Sequence, residues 1–372
     1  MTDDERSFDE VESSERRTFL GMAGATAAIT LPSGVAGATS SEKQTTVTIS
    51  TRRSRNNPLS LDRANSIRRQ AVNRYRDKSG SQDAIGYSQT KSTEDINVYS
   101  LTVHINERGY PVSHLGVGSS AVSQETVQEL HDEADEFEDS AKENIASVTQ
   151  IGGTDDNASS TAPSGLSTDW RLSGSTEITA AFGEYGFLRT ATDLGTYAFD
   201  PRRGEKGYHF GAFTSHTNTP GVSVSNSKYR QDIGRITHDY SDYKNNMDMS
   251  THRPEGNKSG DIDFDASIGV GLTGPTLTVG ASHEDRKIKR TDLSNRGDDY
   301  FSWQWHFNNN PLWDGPTKNE DTFELSSFAF TREQPSQEEQ ILSVNSIAQW
   351  YDPFGGDRSS QKSIKEVYYY NK

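Results

Sequence analysis

The stretch YFSWQWHF at residues 300–307 decides the fold class. Its large apolar side chains recur at every second position, at Phe301, Trp303, Trp305 and Phe307. A period of two is that of a β-strand, whose successive side chains point to opposite faces. The aromatic face has two interpretations: the core of a sheet, or an exposed row that contacts glycans or a lipid interface. Because only 31% of the residues are hydrophobic, aromatic side chains have to supply much of the buried area, which favours the core.

Runs with the same period lie on both sides of this stretch, between clusters of Gly, Pro, Asn and Asp. No helical period interrupts them, so residues 168–372 are predicted to form an all-β, β-sandwich-like domain of about ten strands. The runs are residues 170–172, 185–189, 195–199, 208–214, 262–270, 276–281, 301–307, 323–330 and 341–351.

A segment rich in Gly, Ser, Thr, Asp and Pro precedes this domain at residues 150–167 and is predicted to be a flexible linker. Before it, residues 43–149 mix both periods, which predicts a small α+β module. A helix begins after Ser60 as N-cap and ends at Ser79-Gly80, and residues 96–117 form a hairpin. A second helix begins near Ser123.

The two predicted helices carry opposite charge. Residues 52–78 hold nine cations and two acids, whereas residues 125–143 hold nine acids and one lysine. The basic helix is explained either by binding to an anionic surface or nucleic acid, or by arginines that face the acidic helix. The second explanation is favoured. No nucleic-acid partner is expected, since phosphate contacts weaken steeply with salt.

The amino-terminal residues have the pattern of an export signal. Arg16-Arg17 precedes an uncharged segment, and Ala36-Gly37-Ala38 is a small-x-small cleavage site. Pro32 and many Gly, Ser and Thr residues argue against a membrane anchor. Residues 1–38 are therefore predicted to be a twin-arginine signal peptide, with the twin-arginine translocase as partner and an extracellular destination.

The chain has 54 acidic and 38 basic residues, a net charge of −16 and no cysteine. Disulfides, thiolate catalysis and cysteine-bound zinc are thereby excluded. With the twin-arginine leader, this acidity resembles that of proteins secreted by haloarchaea, where molar salt shortens the Debye length to about 3 Å and screens like charges. The general organisation is similar to that of halocins, the secreted antimicrobial proteins of haloarchaea. That resemblance implies an antimicrobial that acts on the surface of competitor cells.

One hairpin, at residues 262–282, has small polar residues on one face and aliphatic residues on the other, with a turn at Gly274-Pro275. The pattern suits an ordinary sandwich hairpin, which is favoured, or a hairpin that inserts into a membrane. Asp261, Asp263 and Asp265 at its start form a solvated acidic face or a cation-binding site. A calcium loop is disfavoured because Ala266 replaces the loop glycine.

No motif nominates a catalytic residue, and neither a metal nor a cofactor is expected. The nine histidines include no His-Glu-x-x-His pair. Asn157 and Asn257 begin N-glycosylation tripeptides.

These features favour a secreted, non-enzymatic effector or binding protein with lipid, glycan or other cell-surface targets. The alternatives are a secreted hydrolase with a dispersed active site, and a glycan-binding surface or matrix adhesin. The resemblance to halocins implies that the module at 43–149 is a pro-segment or an immunity-type element that shields the β-rich domain until the linker is cut.

Overall fold

A computed structural model of the protein describes residues 46–80, 86–107, 109–144, 171–199, 207–220, 228–243, 247–259, 267–271, 274–278, 288–307 and 321–370. The predicted signal residues Arg16, Arg17, Ala36 and Ala38, the linker, Asn157, and Asp261, Asp263 and Asp265 lie outside these ranges.

The fold is mainly β, as the alternating pattern predicts. The strands are β1 (Val47–Arg52), β2 (Tyr87–Lys91), β3 (Ile96–Ile105), β4 (Pro111–Ser119), β5 (Arg171–Ala181), β6 (Gly186–Phe199), β7 (Gly207–Pro220), β8 (Arg230–Asp239), β9 (Asp248–Arg253), β10 (Lys258–Ser259), β11 (Ser267–Gly271), β12 (Gly274–Thr278), β13 (Ile288–Asp292), β14 (Tyr300–Phe307), β15 (Asp321–Thr331), β16 (Glu339–Tyr351) and β17 (Lys362–Tyr370). The helices are α1 (Leu61–Ser79) and α2 (Gln124–Asn144), and a 3-10 turn lies at Arg296–Asp298.

Two large sheets pack face to face. One has the strand order β1-β3-β4-β5-β6-β7-β15-β9, and the other has β10-β13-β14-β8-β16-β17-β2. Neighbours are antiparallel except β4 and β5, which run parallel and are connected through α2. The third sheet contains only β11 and β12. Aromatic rings from the two large sheets meet in the core, as where Trp305 of β14 stacks on Phe323 of β15 at 4.5 Å.

Helix α1 packs on the inner face of the eight-stranded sheet, beside β2 at the edge of the other sheet, and its opposite side is exposed. It begins and ends where its sequence predicts: the Ser60 side chain accepts a hydrogen bond from the backbone N–H of Arg63, and Gly80 is left-handed. Its buried residues Ala64, Ala71 and Val72 join the core formed by the inner faces of β3 and β4. The helix thus covers the part of the eight-stranded sheet that the other sheet leaves open.

Helix α2 packs on the outer face of the same sheet. Val127 and Leu130 contact Ala181 and Phe187 there, and the Ser100 hydroxyl donates to the Leu130 carbonyl at 2.8 Å. The sheet therefore separates the two helices. The favoured expectation that the basic helix faces the acidic one is wrong, because their charged faces lie on opposite sides of a layer of strands.

Strands from before and after residues 150–167 share both large sheets. β4 pairs with β5 over seven residue pairs, and β2 pairs with β17 over five. Buried Arg68 of α1 donates to Glu366 of β17 at 2.8 Å, and Thr90 of β2 donates to the same carboxylate at 2.7 Å. The predicted linker is therefore not a boundary between sheets.

Candidate functional site

The aromatic row of β14 is in the core. Phe301, Trp303, Trp305 and Phe307 are at most 3% exposed, and the Trp303 indole N–H donates to the Pro254 carbonyl at 2.7 Å. Side chains buried between two sheets cannot stack on a glycan or lie at a lipid interface. The prediction that these residues contact glycans or membranes is therefore wrong for this fold, and the core interpretation accounts for their spacing.

The hairpin β11–β12 is the candidate functional element. Its strands pair in the register Ser267↔Thr278 to Gly271↔Gly274, and within the described residues 267–271 and 274–278 it has no strand pairing with either large sheet. Gly271 pairs with Gly274, and Gly274 and Pro275 belong to β12. The register places Ile268 opposite Leu277 on one face, and Gly269 opposite Thr276 on the other.

Strand β12 lies beside β9 and β15 of the eight-stranded sheet. Ser326 and Phe328 of β15 alternate with the core residues Leu325 and Ala329, so they belong to the outer face of that sheet. Both are nevertheless at most 1% exposed. The outer face of β15 is thus covered where the hairpin lies, although main-chain pairing does not fix the hairpin there.

Buried histidines form the main electrostatic feature of the interior. His238 exchanges hydrogen bonds with Thr214 and Ser327, each at 2.8 Å. Burial lowers the pKa of His238 to about 3, that of His216 to about 3, and that of His114 to about 4. All three rings are therefore neutral near pH 7, and they act as polar core residues.

Charged groups lie between α2 and the strands below it. Arg189 of β6 binds Glu133 of α2 at 2.8 Å, and Thr179 donates to the same carboxylate. Burial acts to raise the pKa of Glu133, but Arg189 and Thr179 hold it below its usual range. Burial, with Glu133 nearby, raises the pKa of Glu177 to about 7. These contacts hold the helix on the sheet.

Where the interior has cavities, they are too small to hold a substrate. A gap of about 20 Å³ beside Arg68, lined by Val72, Tyr87, Ser88 and Ser113, has space for one water molecule. Among the described residues, no three His, Asp or Glu side chains are arranged to hold a metal ion. Within the same ranges, no helix combines the length and apolar character needed to cross a membrane.

Asn257 is exposed in the turn before β10, so its predicted glycosylation tripeptide is on the surface. Its side-chain oxygen accepts from the backbone N–H of Asp292 at 2.8 Å.

Sequence reasoning missed two features of the surface and interior. The helical pattern does not show that the exposed cations of α1 face away from α2. The buried Arg68–Glu366 pair had no signal, because its members are 298 positions apart in the chain.

No family model and no curated protein sequence matches the chain. Among solved structures, "Clostridium perfringens NetB toxin in the membrane inserted form" is 9% identical, with 52% of this chain and 94% of that chain covered and a TM-score of 0.25. "Clostridium perfringens delta-toxin" is 8% identical, with coverages of 50% and 81% and a TM-score of 0.29. TM-scores this low support no conclusion about fold or function.

Proposed function

We propose that the protein is a secreted, non-enzymatic effector that acts on the surface of other cells, and that the hairpin β11–β12 enters their membrane. The observation that carries the proposal is the hairpin's separation from both large sheets. Its release would break contacts with the outer face of β15 but no strand pairing of the sandwich.

The hairpin's register supplies the second step of the argument. Aliphatic positions share one face of the described hairpin, and Gly, Ser and Thr positions share the other. A strand pair that enters a membrane needs this division, because one face meets lipid and the other meets water or neighbouring copies. The same alternation continues in the sequence from 262 to 282, which brings each strand to the roughly 9–11 residues that span a bilayer.

Dye release from lipid vesicles tests the proposal. The full chain should release the dye, and the variant I268D/L277D, which places charge on the aliphatic face, should release at least tenfold less. The matched control G269S/T276S changes the opposite pair on the small, polar face and should retain release. Circular dichroism should show that both variants keep the two large sheets, because neither site belongs to them.

Two results would contradict this function. One is no release by the unaltered chain in low and molar salt, together with no growth inhibition of neighbouring cells. The other is equal release by I268D/L277D and the control, which would show that the aliphatic face of the hairpin is irrelevant.

The export route belongs to the same proposal. The pair Arg16-Arg17 and the site Ala36-Gly37-Ala38 support passage through the twin-arginine translocase into the medium, with a mature chain that starts at Thr39. The acidic composition supports a haloarchaeal, halocin-like effector. We also propose that the α+β module and the β-rich domain keep separate roles although their strands share sheets. Mass spectrometry of the protein from culture medium would detect the leader if it is retained, and that result would remove the export proposal.

A further inference from the structure

The exposed face of α1 concentrates positive charge on a protein with a large acidic surplus. The helix contains six cations and two acids, whereas the whole chain has a net charge of −16. Four of the cations are exposed; Arg69 contacts Tyr87, and the other three are Arg63, Arg74 and Lys78. At 100° per residue they fall within about 60° of one another around the helix axis, so they form one stripe, here called the basic stripe.

The basic stripe has no carboxylate partner among the residues that the structure describes. None of the described acidic side chains forms an ion pair or hydrogen bond with Arg63, Arg74 or Lys78 side chains. Several other cations among the described residues are paired: Arg52 with Asp135, Arg189 with Glu133, and Lys362 with Glu94. Three cations on one exposed face, unpaired by any described carboxylate, are available to an anionic partner outside the chain.

The helix presents this row rigidly. The opposite side of α1 is in the core, and Asn65 donates to the Thr90 carbonyl at 2.9 Å. Arg68 binds Glu366 at 2.8 Å, and the Tyr75 hydroxyl donates to the Glu107 carbonyl at 2.9 Å. The backbone beneath the three cations is therefore ordered before binding, so that docking carries no ordering cost for the backbone.

We propose that the basic stripe is a docking surface for membranes rich in anionic lipid. Arginine and lysine head groups on one side of a helix that lies along a surface match the phosphates of such a membrane. A nucleic-acid partner fits less well, since the exposed positions of α1 include no aromatic side chain that could stack on bases. The choice of lipid over other polyanions rests on the proposed membrane-directed function.

Sedimentation of the full chain with vesicles tests this surface. Phosphatidylglycerol vesicles should bind the protein, and phosphatidylcholine vesicles should bind it far less. Each cation near an anionic surface contributes about fivefold in binding, so R63Q/R74Q/K78Q should bind on the order of a hundredfold less. The control K228Q/K289Q/R296Q removes three other exposed positive charges and should bind within about threefold of the unaltered chain.

The outcomes separate this inference from the proposed function. Loss of dye release with retained binding would remove the pore proposal and leave the docking surface. Equal binding by the two triple variants, or equal binding to both lipids, would overturn the docking surface even if dye is released. Binding to duplex DNA but not to phosphatidylglycerol would also overturn it, in favour of nucleic acid. Unchanged unfolding midpoints would show that each variant is folded.

Discussion

Arg68 and Glu366 form an ion pair whose side chains are only 3% and 4% exposed. The Nη1 atom of Arg68 serves both Glu366 and Thr90, while its Nε and Nη2 atoms lie buried without a protein partner among the described residues. Two desolvated charges of this kind contribute little net stability, but loss of either one leaves the other uncompensated. The pair therefore adds little to the stability of the fold. Its main effect is to specify β17 as the strand that meets α1.

We predict that E366Q lowers the free energy of unfolding by about 3–5 kcal/mol, because Arg68 is left as an unpaired buried cation. The double variant R68M/E366L should recover most of that loss, since an apolar pair needs no charge compensation. D135N, which removes a partner of Arg52 that is 66% exposed, should cost less than about 1 kcal/mol. Urea unfolding measures all three. A loss for E366Q no larger than for D135N would contradict the prediction.

The buried histidines predict loss of stability in acid. Each has a folded pKa of about 3 or 4, below the unfolded value of about 6.5. The unfolded chain therefore binds protons first as the pH falls below about 6.5, and stability decreases by up to about 1.4 kcal/mol per pH unit for each histidine. Glu177 has a folded pKa of about 7, above the ordinary value of 4.5. Its protonation therefore stabilises the fold as the pH falls from about 7 to 4.5, which offsets the destabilisation by one histidine.

Urea unfolding between pH 7 and pH 5 measures this dependence. H216L removes one titrating ring and should lower the slope by about one proton relative to the unaltered chain. A slope that is flat in the unaltered chain, or unchanged in H216L, would show that these rings are not neutral in the fold.

At the residue scale, the sequence predicts those features that depend on residues close together in the chain. The Ser60 cap, the left-handed Gly80 and the one-sided aromatic row of β14 follow from side chains within a few positions of one another. The burial of Arg68 could not be predicted, because its partner belongs to the opposite end of the chain and an arginine in a polar helix normally faces water.

Gly116 shows how the sheet accepts an element on its outer face. A Cβ atom at Gly116 would lie 2.2 Å from the Ser100 hydroxyl and 2.9 Å from the Leu130 Cβ. Close approach of α2 to β4 therefore depends on the absence of a side chain. This contact also explains why the second helix is on the outer face, a placement that its amphipathic pattern alone could not assign.

We predict that G116V displaces α2 and lowers the free energy of unfolding by about 1–3 kcal/mol through overpacking. G174A is the matched control, since its Cβ would meet only Pro111, at 4.0 Å, and it should change stability by less than about 0.5 kcal/mol. Hydrogen exchange of the α2 amides should accelerate in G116V alone. Equal protection in both variants would show that the helix does not depend on this contact.

The elements themselves were largely predictable, and their arrangement was not. Alternation identified β3, β4 and β14, and helical spacing identified α1 and α2. That α1 covers the inner face of the eight-stranded sheet while α2 covers its outer face depends on which side of β3 each helix contacts, and sequence spacing alone does not fix that choice.

For the whole molecule, we predict that cleavage within residues 150–167 leaves the two parts bound together. The two parts are connected in both sheets, by the β4–β5 pairing in one and the β2–β17 pairing in the other. The buried Arg68–Glu366 contact connects them as well. After limited proteolysis, size-exclusion chromatography in native buffer should show one species, and separation should need denaturant. Two separate fragments in native buffer would instead restore the pro-segment hypothesis.

The pairing of β2 with β17 also sets a time order for folding. A ribosome delivers α1 and β2 long before it delivers Glu366, which lies 298 positions beyond Arg68. During that interval the apolar side of α1 lacks part of its cover, and the seven-stranded sheet lacks the neighbour of β2. Contacts this distant in sequence slow folding, so we expect the nascent chain to need chaperone protection until its final strand has been synthesised.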